Sequence, residues 1–288
     1  ATAVVTPDVL NRFGMLGRAY LTGEVPLEVQ ARLNDENLVS ADTSLDLGEA
    51  RIDLSEIGWV KPKGVPAKAS VRYEKLGDNT KSTILFTTED ARIDGEYSLG
   101  PDSKLVSATL RRAYLKNKAD LSGDVARAAG GGLALSLKGT YLDLSGAMSG
   151  LGAAGDTANS STTPLTIDAE LDTLTLRPGL DMRDAILMAK TGANGLAFFQ
   201  ASGKADDGSP LIARYDATAP GGATVDVESG NAGFMAQALL GADFLEGGKL
   251  ELKGKFTKDS SPANFDIALT NVRMRNAPFL TQILSLAS

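Results

Sequence analysis

A chain of 288 residues with a formal net charge of −7 and no cluster of Lys or Arg lacks the electrostatic footprint of a phosphate-backbone binder, so nucleic acid is not expected as a partner. Histidine and cysteine are both absent, which excludes disulfides, Ser-His and Cys-His catalytic pairs and His-rich zinc sites. The apolar fraction of 43% and the charged fraction of 23% are typical of a folded protein, and the length fits one large all-β domain or two ordinary ones.

The chain opens with a predicted short helix, because Thr6, Pro7 and Asp8 suit the N-cap, first position and first turn of a helix that ends near Gly14. From there the dominant signal is period-two alternation of apolar and polar residues, which is typical of half-buried β-strands. Turn-forming residues separate the alternating stretches. Up to residue 148 the predicted strands cover 29–33, 44–54, 68–76, 81–88, 91–99, 104–115, 118–127 and 132–144.

The segment 149–164 contains mainly Gly, Ala, Ser and Thr without any period, and we expect it to be a flexible loop. Alternation then resumes. A second helix is predicted in 229–244, capped by Ser229 or Asn231 and ended by Gly241, and a third begins at Pro278 with Phe279, Ile283 and Leu284 on its apolar stripe. The predicted strands in this half cover 164–174, 183–190, 195–204, 249–256 and 264–272.

Consecutive strands joined by short turns predict an all-β antiparallel meander with short capping helices. Clean alternation means that one face of the sheet is solvated and the other is apolar. Two arrangements of the apolar face stay open at this point. It forms either the core of a closed sandwich or a groove lined for acyl chains, where each buried methylene would contribute about 0.8 kcal/mol.

The sequence contains two motifs of catalytic or binding type, and both have simpler explanations. The string Gly150 to Gly155 spells GxGxxG, but a phosphate cradle needs a helix directly after the glycines, and a loop-forming segment follows instead. The adjacent pairs Glu89-Asp90 and Asp206-Asp207 could supply glycosidase carboxylates, yet both lie in turn-like contexts. We therefore expect neither an enzyme nor a bound cofactor or metal.

The second half of the chain resembles the AsmA-like family, in particular the C-terminal region of its TamB/YhdP-type members from double-membraned bacteria. The resemblance lies in the strand that ends in GTYLDLS (139–145), the following unit at 164–190, and the helix SGNAGFMAQALLG (229–241). It continues in the stretch LEGGKLELKGKF (245–256) and in the closing phrase VRMRNAPFLTQILSLAS (272–288). These motifs cover 110–288, whereas the first hundred residues match only in style.

The resemblance implies a long curved sheet folded into an open trough that carries phospholipid between inner and outer membranes in the periplasm. It also implies that 1–288 is a single groove segment, excised from a longer protein that is anchored in the inner membrane. No apolar run here reaches the ~20 residues that span a bilayer. The expected partners are phospholipid acyl chains, together with inner- and outer-membrane proteins.

On this hypothesis the lipid-facing positions are those on the apolar side of four predicted strands, although a register slip of one residue would invert the choice. They are Leu133, Leu135, Leu137, Leu165, Ile167, Leu171, Leu250, Leu252, Phe256, Phe265, Ile267 and Leu269. Two alternatives remain. One is a closed β module that assists outer-membrane protein assembly, and the other is a carbohydrate-active enzyme that uses paired acids.

Overall fold

A computed structural model describes residues 2–5, 20–35, 37–55, 58–128, 131–146, 164–192, 195–256 and 264–275. The chain forms two compact units, 1–153 and 154–288. The boundary between them falls inside the predicted loop 149–164, of which only Pro164 belongs to the described residues. The GxGxxG string and the predicted helices near the two termini lie outside the described residues.

Unit 1 contains a main antiparallel sheet and a small second one. The main sheet has the strand order β1-β3-β4-β7-β8-β9-β10-β11-β12, and the small sheet has the order β2-β5-β6. The strands are β1 Thr2–Val5, β2 Leu21–Thr22, β3 Val25–Asn34, β4 Asn37–Asp46, β5 Arg51–Leu54, β6 Trp59–Lys61, β7 Ala67–Leu76, β8 Asn79–Thr88, β9 Ala91–Leu99, β10 Leu105–Leu115, β11 Ala119–Arg127 and β12 Leu133–Asp143.

The described residues of unit 2 form a main sheet of order β13-β14-β15-β16-β17-β19-β20, a two-stranded sheet β18-β21 and one helix, α1. All of its paired strands are antiparallel. The elements are β13 Leu165–Arg177, β14 Leu180–Gly192, β15 Gly195–Lys204, β16 Pro210–Asp216, β17 Thr224–Ser229, α1 Ala232–Leu240, β18 Leu245–Glu246, β19 Lys249–Lys255, β20 Asn264–Thr270 and β21 Arg273–Met274.

The predicted fold class, an open all-β antiparallel meander, is confirmed. Most predicted strands match to within a few residues, and the strands over 91–99 and 195–204 match at both ends. The prediction of one strand over 44–54 is wrong. β4 ends at Asp46, whose side chain accepts a hydrogen bond from the Gly48 amide (2.9 Å), and after this turn β5 joins the small sheet instead.

The small sheet packs over one end of the main sheet of unit 1. The indole of Trp59 on β6 meets the ring of Phe86 on β8 edge to face, with 6.3 Å between centroids, and its Nε1 donates to Asp90 (3.3 Å). Val25, Leu47 and other buried residues complete this cluster. Burial of large apolar side chains between two layers is the main stabilising contribution in a domain of this kind, so this end forms the core of unit 1.

Lys61 is fully buried beside this core, with 1% of its surface exposed. Its ammonium donates to the backbone carbonyls of Ala50 (2.6 Å), Pro62 (3.1 Å) and Gly48 (3.3 Å). Burial lowers the pKa of this amine, while the charges of Glu49 and Asp46 oppose the shift. The side chain therefore ties the loop between β4 and β5 to the chain that follows β6.

Helix α1 is capped as the sequence predicts. The Asn231 side chain accepts a hydrogen bond from the Phe234 amide (2.9 Å), and Gly241 ends the helix in the left-handed region with φ of 68°. Phe234 and Met235 are buried, and the helix packs against β14, β18 and β19. Arg177 donates to the Ala238 carbonyl (2.9 Å) and fixes the last turn to the end of β13. The helix thus covers one end of the main sheet of unit 2.

We expect Lys61→Ala to lower the free energy of unfolding of unit 1 by about 2 to 4 kcal/mol, because it deletes a buried aliphatic stem and leaves three carbonyls without this donor. Urea unfolding followed by fluorescence measures it, since Trp59 is the only tryptophan in the chain. Lys63→Ala is the control, because Lys63 is exposed, and it should cost under about 0.5 kcal/mol. Equal effects of both variants would contradict the tethering role of Lys61.

Candidate functional site: the apolar sheet faces

Strand register places apolar residues of unit 1 on one face of its main sheet. Residues that pair directly across an antiparallel ladder point to the same face, so aligned pairs can be followed from β3 to β12. We call the resulting surface the unit 1 apolar face. Its central row is Val29, Thr43, Val71, Ile84, Gly95, Leu110, Gly123 and Leu137. The row nearer the free hairpin ends is Ala31, Ala41, Tyr73, Ser82, Tyr97, Ala108, Val125 and Leu135.

The main sheet of unit 2 has an equivalent surface, the unit 2 apolar face, which runs from β13 to β20. Two rows are complete across all seven strands. The first is Ile167, Ala189, Phe199, Tyr215, Val225, Gly254 and Phe265. The second is Ala169, Leu187, Ala201, Ala213, Val227, Leu252 and Ile267.

Each apolar face is covered at one end and open toward the other. In unit 1, Ala67, Ala91 and Leu115 are buried next to the small sheet, whereas Val71, Ile84 and the other large side chains of the central row stay partly exposed. In unit 2, Leu211 and Leu250 are buried at the end that α1 covers, whereas Ile167 and Phe199 are partly exposed. Within the described residues, no second layer covers the open end of either face.

Several bulges interrupt the strand register, and those in β10 and β14 keep apolar and charged residues on opposite faces where strict alternation would not. The register of β10 shifts around Arg111 against both neighbours, so Arg111 and Arg112 both reach carboxylates of adjacent strands. In β14 the register shifts between Arg183 and Ile186, and Asp184 has a φ of 49°. An extra residue in one strand changes which face the following side chains meet, so these bulges hold charged groups off the apolar face.

The opposite face of unit 1 is polar and many of its charges are paired, whereas the opposite face of unit 2 also carries the exposed Ile186 and Ile212. Arg111 contacts Asp94 (2.7 Å) and Glu96 (2.9 Å), Arg72 contacts Asp42 (2.7 Å), and all of these groups are partly exposed. The hydrogen bond from Arg111 lowers the pKa of Asp94, and that from Lys81, followed by that from Arg111, lowers the pKa of Glu96. Exposed pairs of this type contribute little to stability.

A shallow depression of about 650 Å³ lies on this polar face of unit 1. It is lined by Glu28, Gln30, Asp42, Arg72 and Arg111 among others. The guanidinium groups of Arg72 and Arg111 in this depression form ion pairs with Asp42 and Asp94 of neighbouring strands. A depression of this kind offers nothing to an acyl chain, so the lipid hypothesis rests on the opposite face.

The structure places the predicted lipid-facing residues on the two apolar faces. Leu133, Leu135 and Leu137 lie on β12 in unit 1 and are partly exposed. The register and alternation of β13, β19 and β20 put eight of the other nine on the unit 2 apolar face, and Phe256, one residue beyond β19, contacts the ring of Phe265 on that face. Leu165, Ile167 and Leu252 are partly exposed, Leu171 (3%) and Leu250 (9%) are buried at the covered end, and Phe256, Phe265, Ile267 and Leu269 are exposed by 38 to 60%.

The predicted lipid-facing residues include none from β14 to β17 or from β3 to β11, although these strands contribute to the two apolar faces. The signal was present, since Leu211, Ala213 and Tyr215 alternate in β16 and Val225 and Val227 alternate in β17. β16 and β17 are only seven and six residues long, so their alternation alone is a weak signal. Their pairing with the longer neighbouring strands shows that they belong to the unit 2 apolar face.

The carboxylate pairs lie in turns, as predicted. Asp90 accepts a hydrogen bond from Trp59, and Asp207 accepts from the Ser209 amide and the Asn231 side chain (2.9 and 2.8 Å). Within the described ranges no group of three or more Asp, Glu, His or Cys side chains is placed to hold a metal ion. The described helices also include none with the length and apolarity of a membrane span.

Comparison of the chain with protein-family models, with curated proteins and with solved structures finds no match in any of the three. The resemblance to AsmA-like proteins therefore stays a prediction from the sequence motifs.

We expect Arg111→Ala to lower the free energy of unfolding only slightly at neutral pH, because its ion pairs are solvent-exposed and screened. Since Arg111 lowers the pKa of Asp94, the stabilisation is present above the usual carboxyl pKa and is lost as pH falls through the folded-state pKa. The difference in the free energy of unfolding between the variant and the parent protein, measured by urea titration, should therefore shrink from pH 7 to pH 3. A difference that grows in acid would contradict this assignment.

Proposed function

We propose that this chain is a non-enzymatic, lipid-binding segment of AsmA-like type, part of a periplasmic conduit that moves phospholipid between inner and outer membranes and so supports cell-envelope biogenesis. Lipid acyl chains would lie on the unit 1 and unit 2 apolar faces. The parent protein would be anchored in the inner membrane, as the resemblance implies. No residue performs chemistry on the lipid.

The observation that carries the proposal is the continuity of aligned apolar rows that are covered at one end only. The two complete rows of unit 2 cross seven strands, which is about 29 Å at the usual strand spacing. Soluble monomers rarely leave a contiguous apolar patch of a few hundred Å² or more without a functional reason. Acyl chains supply the missing apolar cover.

The depth of each face matters for how tightly a lipid would bind. A chain lying on an open face buries about half of its surface, so each methylene contributes about 0.4 kcal/mol and a chain of about 16 carbons about 6 kcal/mol. Before ordering costs this corresponds to a dissociation constant of tens of micromolar. Weak binding of this size suits a surface along which lipids move rather than a storage site.

The alternative of a closed β module that assists outer-membrane protein assembly predicts a dry, filled interior. The partly exposed Val71, Ile84 and Leu137 favour the lipid-binding function over this alternative. The alternative of a carbohydrate-active enzyme predicts two carboxylates that converge in one cleft. Asp90 and Asp207 are instead held by hydrogen bonds in separate turns of the two units.

Environment-sensitive fluorophores attached to single cysteines test the proposal, because the chain contains no natural cysteine. We expect labels at Leu137→Cys and Leu252→Cys to shift their emission to shorter wavelengths when phospholipid vesicles are added. Labels at Ser136→Cys and Lys253→Cys should not respond, since each lies one residue along the same strand and faces the other side. Four unresponsive labels, together with no co-purifying phospholipid in native mass spectrometry, would sink the proposal.

A charge placed on the apolar face should block lipid uptake. We expect Leu137→Asp to weaken uptake of a labelled phospholipid at least about tenfold, because a polar group left facing acyl chains costs roughly 1 to 3 kcal/mol. The matched variant Lys138→Asp adds the same side chain to the polar face and should leave uptake unchanged. Circular dichroism would confirm that both variants keep their strands. Equal loss of uptake in both variants would count against the apolar face as the lipid site.

A further inference from the structure

The last strand in the order of unit 2, β20, presents an edge without a neighbour among the described strands. It pairs with β19 on one side only, and all seven of its residues are exposed. Phe265 (47%), Ile267 (60%) and Leu269 (43%) are large apolar side chains on the unit 2 apolar face. Leu250, the β19 partner of Leu269, is exposed by only 9%.

β20 has only one of the usual devices that protect a sheet edge, the charge of Asp266 on its polar side. Its sequence NFDIALT contains no Lys, Arg or Pro, and its seven pairs with β19 run without a bulge. Natural edge strands are normally short, charged, interrupted by proline or bulged, because a free edge is a template for another strand. A regular, mostly apolar edge of this length therefore points to a strand that pairs with it.

The chemistry of β20 is complementary to itself. When two copies run antiparallel in a register centred on Ile267, Phe265 lies opposite Leu269 of the second copy and Ile267 lies opposite itself. On the polar side, Asp266 faces Ala268 of the second copy, and Asn264 faces Thr270. No like charges lie directly opposite each other, and on the apolar side large apolar side chains meet only apolar ones, as a two-fold interface requires.

We propose that β20 is the contact strand of a symmetric dimer, in which two copies of this chain pair edge to edge and join their unit 2 apolar faces into one continuous surface. The pairing is about 24 Å long and small as an interface, so the dimer is reversible with a micromolar dissociation constant. This inference goes beyond the proposed function and does not depend on lipid binding.

Sedimentation velocity from about 5 to about 300 μM tests the association, because this range brackets a micromolar equilibrium. The mass should rise from 30.0 kDa toward twice that value. The double variant Asn264→Asp with Thr270→Asp should weaken association at least about tenfold, because it places carboxylates opposite each other twice across the two-fold axis. Within the chain, positions 264 and 270 face Lys255 and Lys249, so both aspartates are tolerated by the fold.

The single variants are the matched controls, since each leaves an uncharged residue opposite the new carboxylate and should associate nearly as the parent does. Ile267→Cys should form an intermolecular disulfide under mild oxidation, because the two Cα atoms would be about 5 Å apart. Leu269→Cys should not, because the two cysteines would be offset by four residues, or about 14 Å.

A chain that stays monomeric over the whole concentration range would overturn the dimer. So would an association that the double variant does not weaken, or a Leu269→Cys disulfide that forms as efficiently as that of Ile267→Cys. Lipid uptake by the double variant separates the two proposals. The substitutions lie on the polar face, so uptake should persist whether or not the dimer forms.

Discussion

The structure depends on one constraint, which is that period-two alternation stays in phase across neighbouring strands. A strand slipped by one residue would move its entire apolar set to the polar side. From Val29 on β3 to Leu137 on β12, eight strands keep their apolar residues in line, and the same holds from Ile167 to Phe265 in unit 2. Where the phase would be lost, around Arg111 and Asp184, a bulge corrects it.

Cover for these faces comes from short insertions between strands of each main sheet. In unit 1 the insertion lies between β4 and β7 and forms β5 and β6, which bring Trp59 over Phe86. In unit 2 it lies between β17 and β19 and forms α1, which brings Phe234 and Met235 onto the end of the sheet. Because each insertion is short, it reaches one end of its sheet, and the remaining rows keep their partial exposure.

Local pattern explains why so much of the fold could be predicted from the sequence. The strands over 91–99 and 195–204 follow from alternation and flanking turns, and the helix between Asn231 and Gly241 follows from its caps. The prediction of a single strand over 44–54 misses the extra sheet, although the alternation changes phase at Gly48-Glu49, with Leu45 and Leu47 before the change and Ala50, Ile52 and Leu54 after it. Which sheet each half joins is set by its partner, β7 for β4 and β6 for β5, and this pairing is not local information.

The same distinction applies to the candidate site. Which side of a strand a residue faces is local information, so the predicted positions in 165–269 fall together on one face. Burial is not local, because Leu171 and Leu250 lie at the end that α1 covers, while Leu252 two residues farther along β19 stays partly exposed. Alternation in the sequence gives these three residues the same pattern. Only the packing of α1 shows that Leu171 and Leu250 are buried in the fold, whereas Leu252 is accessible to a ligand.

Glycines within the apolar faces allow neighbouring strands and rings to approach closely, at positions that the amino-acid composition does not reveal. A Cβ at Gly123 would collide with the Ser136 carbonyl oxygen of the neighbouring strand, and one at Gly254 would collide with the ring of Phe265, which lies across it. Both glycines lie in the rows of the apolar faces, where they let adjacent strands or rings approach closely. The faces therefore combine large aliphatic side chains with low points between them. A face built from leucines alone would have no such depressions. An uneven apolar surface that is covered at one end only can accommodate a flexible acyl chain, as our proposal requires.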